Sequence, residues 1–211
     1  MEEWTYTEIV KDHFMNPRNV LNVPEEQFEA SGVGSVGSPA CGDMMKVWIK
    51  VENDKIVDFK WKTYGCASAI GSTSMLSLMV TENGGMPLDK AFDITPTDIM
   101  ARLGGLPAHK IHCSVLGDKA LREAINNYYE KSGKPKKEAK KSGVVVCECL
   151  NVTDKEIEEA VMEEAFTWEQ LQERTKVSTG CGQCKDEARA LFIQYLEKYF
   201  PDKAKKIKFE S

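Results

Sequence analysis

Hydrophobic and polar side chains alternate along residues 44–51 and again along residues 57–62. In the first stretch Met45, Val47, Ile49 and Val51 alternate with Met44, Lys46, Trp48 and Lys50. A period of two predicts a half-buried β-strand, with the second set facing solvent. Val57, Phe59 and Trp61 repeat the pattern after Asn53-Asp54, which predicts a turn. The two stretches therefore predict an antiparallel hairpin that continues to Cys66.

The period becomes helical from Ala67 to about Thr81, and Asn83-Gly84-Gly85 ends it. Before the hairpin, Thr5-Tyr6-Thr7-Glu8 has the spacing of a capping box and predicts a helix that stops before Asn16-Pro17. Short helices are expected over residues 87–92 and 97–103, and Leu106-Pro107 is expected to open a long helix through Tyr128. Residues 1–130 thus predict an α+β domain in which an antiparallel sheet is packed by helices.

A lysine-rich stretch, residues 131–143, follows this domain. Such a stretch carries like charges beside Gly, Ser and Pro, so it predicts a solvated linker. Residues 144–200 then predict a small all-α domain. Its helices are expected after Thr153, after Thr167 and from about Gln183 to Phe200, where Pro201 ends the last one. Residues 201–211 are expected to be a frayed tail.

Composition and charge narrow the function classes. The net charge is −5, and the sequence on either side of the lysine-rich stretch is acidic, which weighs against nucleic acid as a partner. No apolar run approaches the ~20 residues of a membrane helix. The acidic start Met1-Glu2-Glu3-Trp4 is unlike a targeting peptide, so a cytoplasmic location is expected. In that reducing compartment, seven cysteines favour metal binding or thiol chemistry over disulfides.

Four cysteines of the second domain form two close pairs, Cys147-x-Cys149 and Cys181-x-x-Cys184. Four soft ligands from two short segments predict one zinc or iron–sulfur site. Structural zinc usually takes Cys-x2–4-Cys in both pairs, so the spacing favours iron–sulfur while leaving zinc open. Gly180 and Gly182 allow the backbone to approach a metal closely. A bound metal would also add folding energy to a small core.

The remaining cysteines, Cys41, Cys66 and Cys113, stand far apart in the sequence, each beside a predicted element boundary. Asp43 and His112 lie near them and could add a carboxylate and an imidazole. A carboxylate is a harder ligand than thiolate and matches iron less well, so a cluster held by this mixed set should be labile and transferable. Lys110 and His112 would favour the reactive thiolate at Cys113. Each cysteine alone could equally be a buried structural residue.

The C-terminal pattern, Cys147-x-Cys149 and Cys181-x-x-Cys184, resembles the bacterioferritin-associated-ferredoxin type of [2Fe–2S] domain, also the middle domain of NifU proteins. The resemblance covers about residues 144–200. It implies one permanent thiolate-ligated [2Fe–2S] cluster on all four cysteines.

Residues 4–130 resemble IscU/NifU-type iron–sulfur cluster assembly scaffolds. The matching stretches are Ser38–Asp43, Lys62–Ile70 and Lys110–Ser114. The resemblance implies an assembly site of Cys41, Asp43, Cys66, His112 and Cys113, holding a transient [2Fe–2S] or [4Fe–4S] cluster, iron or zinc. It also implies that Cys113 accepts persulfide sulfur from a cysteine desulfurase of the NifS/IscS type. Leu106-Pro107-Ala108-His109-Lys110 departs from the Leu-Pro-Pro-Val-Lys chaperone-recognition stretch of IscU proteins. The resemblance extends to two of the three domains of full-length NifU, so a two-domain NifU is expected.

The resulting expectation is a two-domain NifU-like scaffold that delivers clusters to apo-proteins, with its permanent cluster as a redox auxiliary. It would not itself be an enzyme. An external electron donor and a homodimer are further partners to consider. The alternative is an electron-transfer or iron-sensing [2Fe–2S] protein in which the N-terminal thiols hold structural zinc.

Overall fold

A computed structural model describes residues 6–37, 43–107, 110, 115–138 and 143–207. Contacts within the chain divide it into two units, Met1–Ala139 and Lys140–Ser211. This division falls within the lysine-rich stretch. Within the described ranges, no helix is long and apolar enough to cross a lipid bilayer.

The first unit is built on a four-stranded antiparallel sheet with strand order β1-β2-β3-β4. The strands are β1 (Gly32–Gly37), β2 (Met44–Glu52), β3 (Lys55–Thr63) and β4 (Met86–Pro87). The predicted hairpin is confirmed: β2 pairs with β3, and Asn53 and Asp54 both take positive φ at the turn between them. Alternation along β2 and β3 thus sets which side chains enter the core.

The helices of the first unit cover one face of the sheet. They are α1 (Glu8–Met15), α2 (Ala67–Thr81), α3 (Leu88–Phe92), α4 (Pro96–Leu103) and α5 (Val115–Lys131). The core between them includes Val47, Phe59, Leu76 and Leu121. The predicted α+β architecture is confirmed.

Three local expectations need correction. Trp48 was expected to face solvent, but it is buried against Leu21 and Phe28, because the segment before β1 covers the other face of β2. The capping box was expected at Thr5, but Thr7 caps α1 and accepts a hydrogen bond from the N–H of Val10. The long helix begins at Val115, and Leu106-Pro107 lies outside any helix.

Strand β1 packs unusually close to α5 at its glycines. A Cβ atom on Gly34 would lie 2.1 Å from the carbonyl oxygen of Ala120, and one on Gly32 would lie 2.2 Å from that of Ala124. Side chains at these positions would push the strand and helix apart. Glycine is therefore the residue that lets the α5 backbone rest directly on the sheet edge.

A polar seam joins α1 to α2. The ring Nδ1 of His13 and the hydroxyl of Ser74 lie 2.8 Å apart in a buried hydrogen bond, and the N–H of Arg18 also donates to that hydroxyl. Burial lowers the pKa of His13, and the positive charges of Arg18 and Arg102 act in the same direction. The imidazole is consequently held in its neutral form at neutral pH.

The first part of the lysine-rich stretch is docked on the first unit. The side chain of Asn126 holds Lys137 by both its backbone N–H and C=O, at 2.8 and 3.0 Å. Lys137 Nζ contacts a carboxylate oxygen of Asp89 at 2.9 Å, and Lys134 Nζ contacts Asp54 at 2.9 Å. These contacts differ from the solvated tether expected from composition. We call residues 134–138 the strap.

The second unit contains four helices within its described residues, α6 (Asp154–Met162), α7 (Trp168–Thr175), α8 (Lys185–Tyr199) and α9 (Pro201–Ala204). Capping boxes start α6 at Thr153 and α7 at Thr167, where the sequence predicts them. A short ladder, β5 (Val145–Cys147) with β6 (Val152–Thr153), adds to the expected helical domain. The prediction of a frayed tail was wrong for residues 201–204, because these residues form a helix. Pro201 is its first residue, a position that suits proline.

Helices α6 and α8 are joined by a buried carboxylate. Glu158 on α6 accepts hydrogen bonds from the Tyr199 hydroxyl at 2.7 Å and from Lys198 at 2.8 Å, and its other oxygen contacts Lys155 at 2.7 Å. Burial acts to raise the pKa of Glu158, but these donors outweigh it and hold the pKa below its usual value. The carboxylate is therefore charged and satisfied.

Candidate metal centres

Three local structures bring the four C-terminal thiols together. Cys147 ends β5, Cys149 lies in the turn that follows, and Cys184 is the N-cap of α8 just after Cys181. The Cys149 sulfur lies 3.7 Å from that of Cys147 and 3.4 Å from that of Cys181. Cys184 in turn interacts with Cys147 through their thiols. The four sulfurs thus form a continuous series.

This series has a buried end and an exposed end. Cys147 and Cys184 are buried, whereas Cys149 and Cys181 are exposed. A group bound here would meet solvent on one side and protein on the other. Across the described ranges, no three His, Cys, Asp or Glu side chains surround one point as the ligands of a single metal ion would.

The surroundings act differently on the individual thiols. Burial raises the pKa of the Cys147 thiol, but backbone N–H groups of Ser178 and Leu150, with the neighbouring thiols, bring the pKa below its usual value. The backbone N–H of Cys181 acts to lower the pKa of Cys149, yet the adjacent thiols leave it raised. Burial raises the pKa of Cys184. Cys147 is therefore the thiol whose anion the protein stabilises most clearly.

The loop before Cys181 has an unusual backbone and brings the N–H of Ser178 near the sulfurs. Lys176 and Ser178 take positive φ values of 62° and 58°, which non-glycine residues seldom adopt. Gly182 follows with a φ of 74°. Turns of this kind point successive N–H groups into one concave surface that favours anions. Positive φ at non-glycine residues also costs energy, which is common at binding sites.

Small residues let this loop close over the sulfurs. A Cβ atom on Gly180 would lie only 3.0 Å from the sulfur of Cys149, so a side chain there would displace the thiol. The four thiols, the converging N–H groups and this close approach fit a thiolate-ligated [2Fe–2S] group.

In the first unit, Asp43 and Cys66 lie together at the ends of β2 and α2. The N–H of Cys66 donates a long hydrogen bond of 3.4 Å to Oδ2 of Asp43, and Cys66 is the N-cap of α2. Asp43 is buried, and Cys66 is half-buried. A Cβ atom on Gly65 would lie 3.0 Å from the same oxygen. A thiol and a carboxylate, candidates for a soft and a hard ligand, thus meet beside a helix N-terminus, where partial positive charge favours anions.

Cys41, His112 and Cys113 lie outside the described residues, so their part in this site stays a prediction. Two of them lie in sequence near elements that are described. Asp43 comes two residues after Cys41, and α5 begins two residues after Cys113. Near the start of α5, Gly117 packs against Thr73 and Leu76 of α2, the helix that Cys66 caps.

Sequence reasoning missed Ser178, whose single backbone N–H lies near the thiols of both Cys147 and Cys184. Its position three residues before Cys181 is the available signal, but nothing in the residue type predicts a left-handed backbone there. The strap was also missed, since charged residues gave no sign of docking.

Comparison with known families matches both units. Residues 5–135 match the family described as NifU-like N terminal domain, and residues 145–194 match the BFD-like [2Fe-2S] binding domain. These two regions correspond closely to the units that the contacts define.

Individual relatives agree with this pattern. A protein named "Nitrogen fixation protein NifU" from a Nostoc species is 41% identical over 189 residues, covering 86% of this chain and 61% of the relative. An "Iron-sulfur cluster assembly scaffold protein IscU" from Aquifex aeolicus is 50% identical over 137 residues, covering 64% of this chain and 83% of the relative. A similar protein, named IscU 1, from Archaeoglobus fulgidus is 46% identical over 129 residues, covering 61% of this chain and 80% of the relative.

The chain spans about three fifths of the length of the NifU relatives that it matches. Its first unit matches most of the length of the IscU relatives. The chain therefore belongs to the NifU family, with a NifU-like N-terminal domain followed by a BFD-like [2Fe–2S] binding domain.

Proposed function

We propose that this protein is a scaffold on which an iron–sulfur cluster is assembled and then passed to apo-proteins. The observation that carries the proposal is the difference between its two sites. One combines a buried carboxylate, Asp43, with the Cys66 thiol, and the other gathers four thiols under converging N–H groups. The first set suits release of a cluster, and the second suits retention.

The cluster under assembly is the cargo of the first site, formed by Cys41, Asp43, Cys66, His112 and Cys113. The Cys113 thiolate attacks the terminal sulfur of a persulfide on a cysteine desulfurase. A new sulfur–sulfur bond forms at Cys113 while the desulfurase bond breaks and releases its cysteine thiolate. Lys110 and His112 favour the Cys113 thiolate that this attack requires. Iron enters beside Asp43.

The electron balance shows why a redox partner is needed. Two sulfane sulfurs become two sulfides by taking up four electrons. Two ferrous ions supply two of them as they become ferric, so a [2Fe–2S] cargo needs two more electrons from a donor. The C-terminal cysteines, Cys147, Cys149, Cys181 and Cys184, would hold a permanent [2Fe–2S] group, which supplies one-electron chemistry when bound.

The sulfur step is tested by Cys113→Ser. With desulfurase, cysteine, ferrous iron and reductant, the wild-type chain should form cluster absorbance and carry an added sulfur on the Cys113 peptide by mass spectrometry. The variant should lose both. Sulfur and cluster transfer equal to wild type would overturn the scaffold mechanism, and reactions lacking cysteine measure the background.

Metal analysis tests the second site and the alternative function. Chains purified without oxygen should contain iron and acid-labile sulfide that persist after chelation removes the labile cargo. Stoichiometric zinc in the C-terminal unit, without iron, would remove the [2Fe–2S] assignment. Zinc in the N-terminal unit with no sulfur transfer would favour an electron-transfer or iron-sensing protein.

A further inference from the structure

Ser178 carries an unpartnered hydroxyl beside the C-terminal thiols. Its Oγ is buried and has no aligned hydrogen-bond partner within the described part of the chain. A buried hydroxyl without a partner is destabilising, and native proteins contain few of them. The residue also takes the rare positive φ of 58°. Two unfavourable features at one position call for a functional explanation.

The position of Ser178 indicates what its hydroxyl could contact. Its backbone N–H lies near the sulfurs of Cys147 and Cys184, the buried end of the thiol series. Its hydroxyl also lies beside the Cys184 thiol, although the two are not aligned as a hydrogen bond. A neutral thiol is a poor acceptor, whereas a metal-bound thiolate or a sulfide is a good one.

We propose that the Ser178 hydroxyl donates a hydrogen bond to a sulfur on the buried side of the bound [2Fe–2S] group and raises its reduction potential. The inference rests on the proposed function of the C-terminal unit as the permanent cluster site. Ser178 is then a positioning and tuning residue, and the four cysteines remain the ligands.

The direction of the effect follows from charge. Reduction adds one negative charge to the group, and part of that charge falls on its sulfurs. A hydroxyl dipole fixed toward sulfur stabilises the reduced form more than the oxidised form, so the potential rises. On the exposed side, near Cys149 and Cys181, water supplies donors. On the buried side the protein must supply the donors, so a single hydroxyl there has a larger effect on the reduction potential.

The test replaces Ser178 in the full-length chain by Ala, which removes the hydroxyl and keeps Cβ, and separately by Gly. The labile cargo is first removed with a chelator, and iron and sulfide contents are measured. Both variants should retain the permanent cluster at wild-type stoichiometry. At a solution potential equal to the wild-type midpoint, the ratio of reduced to oxidised cluster should fall roughly 3- to 10-fold, the equivalent of one hydrogen bond.

A second readout identifies the donor directly. In D2O, the Fe–S stretching bands of the wild-type chain in resonance Raman spectra should shift because the Ser178 proton exchanges. Part of this shift should disappear in Ser178→Ala. A change in loop packing alone would not remove an isotope effect.

Thr179→Val is the matched control. The Thr179 hydroxyl lies on the same loop but already donates to the carbonyl of Lys176, at 2.8 Å, and the residue is exposed. Its removal should leave the reduced-to-oxidised ratio unchanged. Agreement between the Ala and Gly variants of Ser178 would exclude relief of backbone strain as the cause, since glycine alone relieves it.

The outcomes separate this inference from the function on which it rests. A fully loaded cluster with unchanged potential in Ser178→Ala would overturn the tuning role and leave the cluster assignment intact. An equal shift in Thr179→Val would also overturn it. A wild-type chain without permanent iron and sulfide would overturn the cluster assignment, and the tuning role with it.

Discussion

The N–H of Cys66 donates to the buried carboxylate of Asp43, which ties the beginning of α2 to the beginning of β2. This contact holds the carboxylate beside the half-buried Cys66. The pair is the described part of the proposed assembly site.

Asp43→Asn should weaken ferrous iron binding at the first site about tenfold or more, because it removes the anionic oxygen while keeping size and hydrogen-bonding capacity. Anaerobic iron titration measures the affinity, and circular dichroism should show no loss of folding. Asp58→Asn is the control, since Asp58 lies on β3 and pairs with Lys60. Equal iron affinity in the two variants would argue against Asp43 as a ligand.

Gly34→Ala should lower the free energy of unfolding of the first unit by about 2–3 kcal/mol, because the new Cβ would meet the Ala120 carbonyl oxygen at 2.1 Å. Urea unfolding followed by tryptophan fluorescence reports on this unit through Trp48 and Trp61 when it is measured in a Trp168→Phe background, which removes the signal of the second unit. In Gly37→Ala the nearest atom would be 3.7 Å away, so the change should stay within about 0.5 kcal/mol. Similar losses in both variants would contradict the close packing of β1 on α5.

Glu158→Gln should destabilise the second unit by about 1–3 kcal/mol, since it weakens charge-assisted hydrogen bonds from Tyr199 and Lys198. The side chains of Lys155 and Lys198 are about half exposed, which limits their contribution to the free energy of unfolding. Thermal unfolding should show the loss, and Tyr199→Phe should show a smaller one. Glu197→Ala, at an exposed position of α8, should change little.

The neutral His13 predicts a pH dependence for the first unit. Because burial depresses its pKa in the folded state, the unfolded chain binds a proton more readily below about pH 6.5. This contribution to stability is present above that pH and is lost as the pH falls below it. His13→Gln should therefore flatten the slope of unfolding free energy against pH. Ser74→Ala should lower stability and keep the slope, and an unchanged slope in His13→Gln would contradict the assignment.

Asn126→Ala should release the strap. The substitution removes two hydrogen bonds to Lys137, so amide exchange across residues 134–138 should accelerate roughly 10-fold or more. Hydrogen exchange read by mass spectrometry measures this. Lys136→Ala is the control, because the Lys136 side chain is exposed and pairs only loosely with Glu130, at 3.3 Å. Fast exchange already in the wild-type chain would show that the strap is not docked.

Local patterns predicted most of the elements. Alternation gave the β2–β3 hairpin, and Thr153 and Thr167 marked two helix starts, because strand period and N-caps depend on nearby residues. Trp48 was misplaced because its cover, Leu21 and Phe28, comes from a distant segment. That burial depends on tertiary packing, which a local pattern does not contain.

The candidate metal centres were likewise predicted from sequence only in part. Cysteine spacing predicted that the C-terminal thiols lie together, and the sulfur distances of 3.4 and 3.7 Å agree with that. The resemblance to cluster assembly scaffolds brought Asp43 and Cys66 into one hypothesis, and the two residues are hydrogen-bonded. Ser178 escaped prediction because its importance comes from a left-handed backbone that its residue type does not favour. Roles for Cys41, His112 and Cys113 stay predictions from sequence.

The docked strap has a practical consequence for anyone who divides the protein. Cutting after residue 130, where lysine-rich composition begins, would remove Lys134 and Lys137 and with them their contacts to Asp54, Asp89 and Asn126. The ring of Phe92 would also lose the Lys137 ammonium that lies 5.0 Å from its centre. An N-terminal fragment that ends at Glu138 keeps all of these contacts. Its stability should therefore match that of the first unit in the intact protein more closely than the stability of a fragment that ends at residue 130.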